Sequence, residues 1–403
     1  MSDQKYFNFF LTQLRSVLAY SNLFPAIVDS IFVQATQNRM LMHTVLSVSS
    51  HIADRSVGRP LIRSYVHKQQ AIALLQKAIS SSEIEEGLII AVFLLAWNEV
   101  ASGELSARHH LQGLYLLLQK FQGQTQNTSN VTPSIMLIWR IAIRHDYLLS
   151  MFSKEPPVFP SISLNQDELH RQWIEKIVIS RDPNDHSADW ALAHFALDNL
   201  IHHACHLSKK CIRLRRRHNH FPELEGSLQT EISILQKAHE SWISRPIVRQ
   251  AELTELFAQK VPFQSEGSFL HHPPMNIKNQ FYANIRSHWN SIGVYISLIA
   301  YPHITIIPAR LAHAVSICRA HASLGAGNNV SSSGKVVWLF WAAVAYGPGF
   351  EAAWVENCLR GVRHVFPRLK TMARRVCEVV DSKGEFWDEF ERILDTIGNG
   401  EIV

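Results

Sequence analysis

The chain has 403 residues, 47% apolar and 18% charged, a composition that excludes extended disorder and supplies enough apolar surface for a large core. Its formal charge is +5, yet twelve of its 39 basic residues fall in two acid-free runs: Lys209, Lys210, Arg213, Arg215, Arg216 and Arg217, then Arg360, Arg363, Arg368, Lys370, Arg374 and Arg375. The other 27 stand against 34 acidic residues, so the body is acidic; a nucleic-acid field over the whole surface is excluded and only local basic contacts remain.

In chain order, residues 7–20 place Phe10, Leu14, Val17 and Leu18 on one face of a short helix, closed by Ser21, Asn22 and Pro25. The N-terminal stretch has neither a basic leader nor a small-residue cleavage site, so a secreted chain is not expected, and the sequons at Asn127, Asn130 and Asn329 read as chance matches. Residues 40–53 form a second helix with Leu41, Val45, Val48 and Ile52 in register. After a turn at Gly58, Arg59 and Pro60, the residues Ile62, Tyr65, Ile72, Leu75 and Ile79 predict an amphipathic helix with that stripe inward.

The centre of the chain is residues 84–121. From Leu88 to Trp97 no side chain is polar. Ten apolar residues are too few to cross a bilayer, which takes about 20, so the stretch predicts a buried core helix and no membrane contact. Ser102 and Gly103 break it, and Leu111, Leu114, Leu118 and Phe121 continue as the apolar stripe of a partner helix, making a hairpin.

Residues 134–152 are again helical; Pro156, Pro157 and Pro160 then force irregular chain. Residues 188–217 predict a long helix with Trp190, Ala193, Leu197, Ile201, Ala204, Leu207, Cys211 and Leu214 inward. Helices near 226–243, 276–300 and 309–324 follow, then an apolar segment at 336–347 and helices at 350–363, 367–380 and 385–397. No alternating pattern or repeat competes. The expected fold is all-α: a single large domain over 1–403, about a dozen helices built around buried helical hairpins.

Catalytic and metal motifs are weak. Five scattered cysteines, Cys205, Cys211, Cys318, Cys358 and Cys377, do not suit a disulfide framework. His202 and His206 are one helical turn apart with Cys205 nearby, but helical projection continues their face into Lys209, Arg213 and Arg217, and no acid completes a ligand set. A solvated or nucleic-acid-facing surface without zinc is the expectation there. His110 lies on an apolar stripe and reads as a hydrogen-bonded core histidine. His145 and Asp146 point about 100° apart on a helix and do not make a base with its orienting acid. The loop at 325–335 lacks the glycines of either phosphate-binding pattern.

The run of Lys209, Lys210, Arg213, Arg215, Arg216 and Arg217 suits a nuclear localisation signal or a phosphate-contacting surface, and equally a solvated helix end. Trp97, Asn98, Trp338, Trp341 and Tyr346 put large rings with polar handles on the two most apolar segments. Were those helices to face each other they would wall an apolar cavity for a small effector; core packing is the competing reading.

The segments MLMHTVLSVSSHIAD, HKQQAIALLQKAIS and IIAVFLLAWNEVASGELSARHHLQGLYLLLQ resemble the regulatory, or middle homology, domain of fungal-specific transcription factors of the binuclear zinc cluster type. His110, Leu111, Gln112 and Gly113 match that family's His-Leu-x-Gly step, and WLFWAAVAYG at 338–347 is similar to its late Trp-rich helix, with Ala342 in place of the expected proline. The DNA-binding module of such proteins needs six closely spaced cysteines, and the nearest pair here, Cys205 and Cys211, has five residues between them.

The resemblance therefore implies transcription regulation in a fungal nucleus by a helical effector- or partner-binding domain without its own zinc cluster, either lost, trimmed or never present. A small apolar effector, a transcriptional partner or a second copy of the chain are the implied partners, with no catalytic residue, no metal, no cofactor and no sequence-specific DNA binding by this chain alone. The alternative is a stand-alone helical enzyme or small-molecule-binding protein derived from such a domain.

Overall fold

The computed structural model describes residues 3–14, 25–80, 84–102, 107–124, 132–161, 174, 187–217, 222–249, 277–300, 312–314, 316–317, 340–342, 344–345 and 392. Among them 89% are helical and none lies in a strand, so the fold is all-α. The residues group into two compact units. The first comprises Met1–Leu149, Val158–Pro160 and Arg171–Arg181; the second comprises Ser150–Pro157, Ser161–His170 and Asp182–Val403.

In the first unit, α1 (Asp3–Phe9) runs into a π-helical turn (Phe10–Leu14). The buried Tyr6 hydroxyl donates to both carboxylate oxygens of Asp54 at 2.8 and 3.1 Å, tying α1 to α3 (Arg39–Ser56). Between them in the chain comes α2 (Pro25–Gln37), which packs on α3 and is a helix not expected from the sequence. Pro25 stands at its first position, where a proline's missing N–H forfeits no helical bond, so the residue marks a start rather than a stop. Asn38 caps α3 by accepting from the Leu41 backbone at 3.1 Å.

A glycine ends α3: Gly58 has φ +67°, a left-handed conformation that ordinary side chains disfavour, and Arg59 N–H reaches back to the Asp54 carbonyl at 2.8 Å.

The next helix, α4 (Ile62–Ile79), departs from expectation. Of the stripe predicted to face inward only Leu75 does so; Ile62, Tyr65, Ile72 and Ile79 are exposed, and the buried face is Ser64, His67, Ala71 and Leu75. Small side chains allow α3 and α4 to approach closely, with Ser47 and Ser64 bridging the two backbones. Close contact with hydrogen bonds satisfied has outweighed burial of the larger apolar stripe.

Against this pair packs the central hairpin, α5 (Glu86–Ser102) and α6 (Ala107–Gln124). Every residue from Leu88 to Trp97 is buried, as the unbroken apolar run requires, and Leu111, Leu114 and Leu118 meet it from α6. Then α7 (Pro133–Met151), again with proline first, is buried on nearly all sides.

The second unit is built on α8 (Ser187–Arg217), flanked by α9 (Pro222–Trp242) and α10 (Ile277–Ala300). Of the expected stripe of α8, Ala193, Leu197, Ile201, Ala204, Leu207 and Cys211 are buried and Trp190 and Leu214 are half-buried, while burial extends beyond the stripe to Phe195, Asp198, His202 and Lys209. The indole N–H of Trp242 donates to the Ala193 carbonyl at 2.8 Å and fixes α9 on α8.

Trp289 of α10 and His239 of α9 exchange bonds, each ring nitrogen paired with the other residue's carbonyl at 2.9 Å, with the rings stacked 4.4 Å apart. The His313 ring lies flat on α10. A Cβ at Gly293 would sit 2.6 Å from its Nε2, so glycine there is a requirement of packing.

Candidate functional site

Trp97 and Asn98 belong to the first unit and Trp341 to the second, while Trp338 and Tyr346, like the loop at 325–335, lie outside the described residues. Trp97 and Asn98 are each 5% exposed, and the Asn98 side-chain oxygen is buried with no hydrogen-bond partner among the described residues. Trp341 is fully buried in an aromatic cluster: edge-on to Tyr295 at 4.9 Å and to Phe340 at 4.9 Å, and stacked with Phe152 at 6.1 Å. The Tyr295 hydroxyl is in turn 2.7 Å from the Ser208 hydroxyl, so the phenol's polar end is satisfied inside this cluster.

Beside Asn98 sits a charged centre that the sequence reading passed over. The Glu99 carboxylate, 2% exposed, takes the Lys68 ammonium on Oε1 at 2.8 Å and His110 Nε2 near Oε2 at 3.1 Å. Burial pushes the Glu99 carboxyl up, but the hydrogen bonds from His110 and Lys68 outweigh it and hold the group down to about 2. His110 therefore has a buried acid beside it, but its own side chain is 36% exposed, which corrects the expectation of a core histidine: it stands at the rim and only its Nε2 reaches inward. The signal was present in the sequence: Glu99 is the one acid on an otherwise apolar helix after its first turn.

His145 and Asp146 diverge as their spacing requires. Burial lowers the His145 pKa to about 3, and its ring stacks on Phe93 at 6.1 Å. The Asp146 carboxylate instead accepts the backbone N–H groups of Val158 and Phe159 at 2.7 and 2.8 Å, anchoring the proline-rich stretch.

The basic run is divided by burial. Lys209 is only 3% exposed and its ammonium donates to the Ser153 carbonyl, which corrects the reading of this residue as a surface cation. Lys210 and Arg213 are exposed and lie against Glu231 and Glu155. The helix reaches Arg217, while the side chains of Arg215, Arg216 and Arg217 lie outside the described residues. The expected solvated face of His202 and His206 also needs correction. His202 is fully buried, its ring edge-on to His206 at 4.9 Å, because α8 is the central helix of its unit. Projection finds the face of a helix but not what covers it.

A different histidine group does converge. His194 and Asp198 are one turn apart on α8, and His288 meets them from α10, with one donor atom from each inside 4.8 Å of the others. Nδ1 of His194 is 3.8 Å from Oδ2 of Asp198. The His-Asp spacing was legible in the sequence; the third member, 90 residues on, was not.

The family described as fungal specific transcription factor domain matches residues 6–254, more than half of the chain. The chain belongs to the fungal specific transcription factor domain family. This agrees with the resemblance carried by the segments at 40–54 and 89–119. The matched range covers the α3–α4 and α5–α6 pairs, α7, α8 and α9. A search of curated proteins and a search of solved structures gave no match. No helix among the described residues is long and apolar enough to cross a membrane.

Proposed function

We propose that this protein regulates transcription in a fungal nucleus as a helical effector- and partner-binding domain, with sequence-specific DNA contact made by another module or protein. The observation that carries this is the family match over residues 6–254, together with five cysteines that cannot supply the six a binuclear zinc cluster needs. Exposed basic groups such as Lys210 and Arg213 suit import or phosphate contact but carry no base readout, so DNA binding by the chain alone is weak, non-specific and steeply salt-dependent.

The experiment is a tethered reporter in a fungal host. The full chain is fused to an unrelated DNA-binding domain whose site drives the reporter, and localisation is read from a fluorescent tag. Reporter output that differs several-fold from the DNA-binding domain alone supports the reading. A nuclear, soluble fusion that leaves output at the level of that domain across growth conditions would overturn it.

A further inference from the structure

We propose that His194, Asp198 and His288 form a binding site for one divalent transition-metal cation of the zinc class, held by two imidazole nitrogens and one carboxylate oxygen. This goes beyond the regulatory reading and does not rest on it.

The donor set argues for the metal class. Two imidazoles with one carboxylate is a borderline set that suits zinc; it is too nitrogen-rich for magnesium or calcium and lacks the thiolates of a cysteine-rich structural site. The geometry argues for one shared cation. His194 and Asp198 are at i and i+4, the spacing that puts two ligands on one helical face, and His288 approaches across the α8–α10 interface with its ring 5.6 Å from that of His194. All three donor atoms lie within 4.8 Å of one another. A tetrahedral ion with bonds of about 2.0–2.1 Å draws its donors to roughly 3.3 Å apart, so binding requires the three side chains to close in on the ion.

Burial argues the same way. Asp198 is fully buried, His288 is 4% exposed, and the His194 side chain is 12% exposed. The buried cation of α8, Lys209, is eleven residues further along the helix, about 16 Å at 1.5 Å per residue, too far to oppose a metal directly. Three protein ligands leave a fourth position for water or for a donor atom of a bound molecule.

The test uses the full chain stripped of metal with a chelator and dialysed. Zinc is titrated by calorimetry and thermal shift, and cobalt(II) serves as an optical probe. The expected result is one equivalent bound per chain, a raised thermal midpoint and a four-coordinate cobalt spectrum. His288→Ala and Asp198→Asn are each expected to weaken zinc binding at least tenfold, while His206→Ala binds as wild type. Circular dichroism of the metal-free variants checks that they fold; if one does not, His194→Ala carries the comparison. Binding of no equivalent, an octahedral cobalt spectrum alone, or undiminished binding by His288→Ala or His194→Ala through surface histidines overturns the site.

Discussion

Ser47 and Ser64 face each other across α3 and α4, and each hydroxyl donates to the other residue's backbone carbonyl, at 3.1 and 3.0 Å. Both side chains are buried, so the two polar groups are satisfied inside an interface too tight for anything larger. Small-to-large substitution there should be destabilising. Ala71→Leu, at a fully buried position on the same face, is expected to lose about 1–3 kcal/mol. Ile72→Gln, on the outward face, is expected to stay within about 0.5 kcal/mol of wild type. Urea unfolding of both variants measures the contrast; equal losses would mean that α4 faces the other way.

The Glu99 centre sets an acid dependence. Its carboxyl is held at about 2 in the fold, against an ordinary value near 4.5, so its stabilisation is complete above about pH 4.5 and is lost as pH falls toward 2. The contribution is roughly 2–3 kcal/mol for a carboxylate this buried. Glu99→Gln should therefore be less stable than wild type at pH 6, with the gap shrinking between pH 4.5 and 3. Urea midpoints across that range test it, and a gap that stays constant would exclude Glu99 as the source.

Buried histidines act in a higher window and in the same direction. Burial lowers His145 to about 3 and His239 to about 4, so both stay neutral in the fold but take a proton on unfolding below about pH 6.5. Stability is full above that pH and falls as pH drops from 6.5 toward the folded values. At pH 5.5 each histidine lowers stability by about 1.4 kcal/mol relative to pH 7.5. His145→Asn should flatten that slope while lowering stability at pH 7.5; an unchanged slope would show that His145 takes up its proton equally in the folded and unfolded states.

Lys209 and the arginines after it should separate cleanly. Lys209→Ala leaves the Ser153 carbonyl without its donor and opens space in the second unit, and a loss of about 1–3 kcal/mol is expected. Replacing Arg213, Arg215, Arg216 and Arg217 with alanine should remove nuclear accumulation of the tagged chain. Thermal midpoints and microscopy distinguish the two effects. A tagged quadruple variant that remains nuclear would take the import role away from this run.

Helices with long, strongly periodic apolar stripes were legible from sequence, because burial of such a face has few alternatives. The Leu88–Trp97 run, the partner stripe of α6 and the inward face of α8 all belong to that class. The failures have physical causes. Pro25 punctuates a helix from either end, and only the chain after it shows which. On α4 the larger apolar residues suggested an inward face, but Ser64 and Ala71 permit a backbone approach that Ile72 and Tyr65 would block. The charged centre at Glu99 and the meeting of His194 and Asp198 with His288 depend on partners from other helices, which no local pattern contains.

The α3–α4 interface also bears on the order in which the protein is made. Its two helices are joined by the five residues 57–61, with Gly58 shaping the turn, so little loop entropy opposes their pairing as soon as both have left the ribosome. Helix α5 emerges next and finds a surface already assembled for the apolar face it packs on α3 and α4. A lesion at Ser47 or Ser64 removes that surface at the moment it is needed, leaving α5 exposed to other nascent chains. The damage would then fall on the yield of soluble protein from the cell, through aggregation, before it showed in the melting of the molecules that survive.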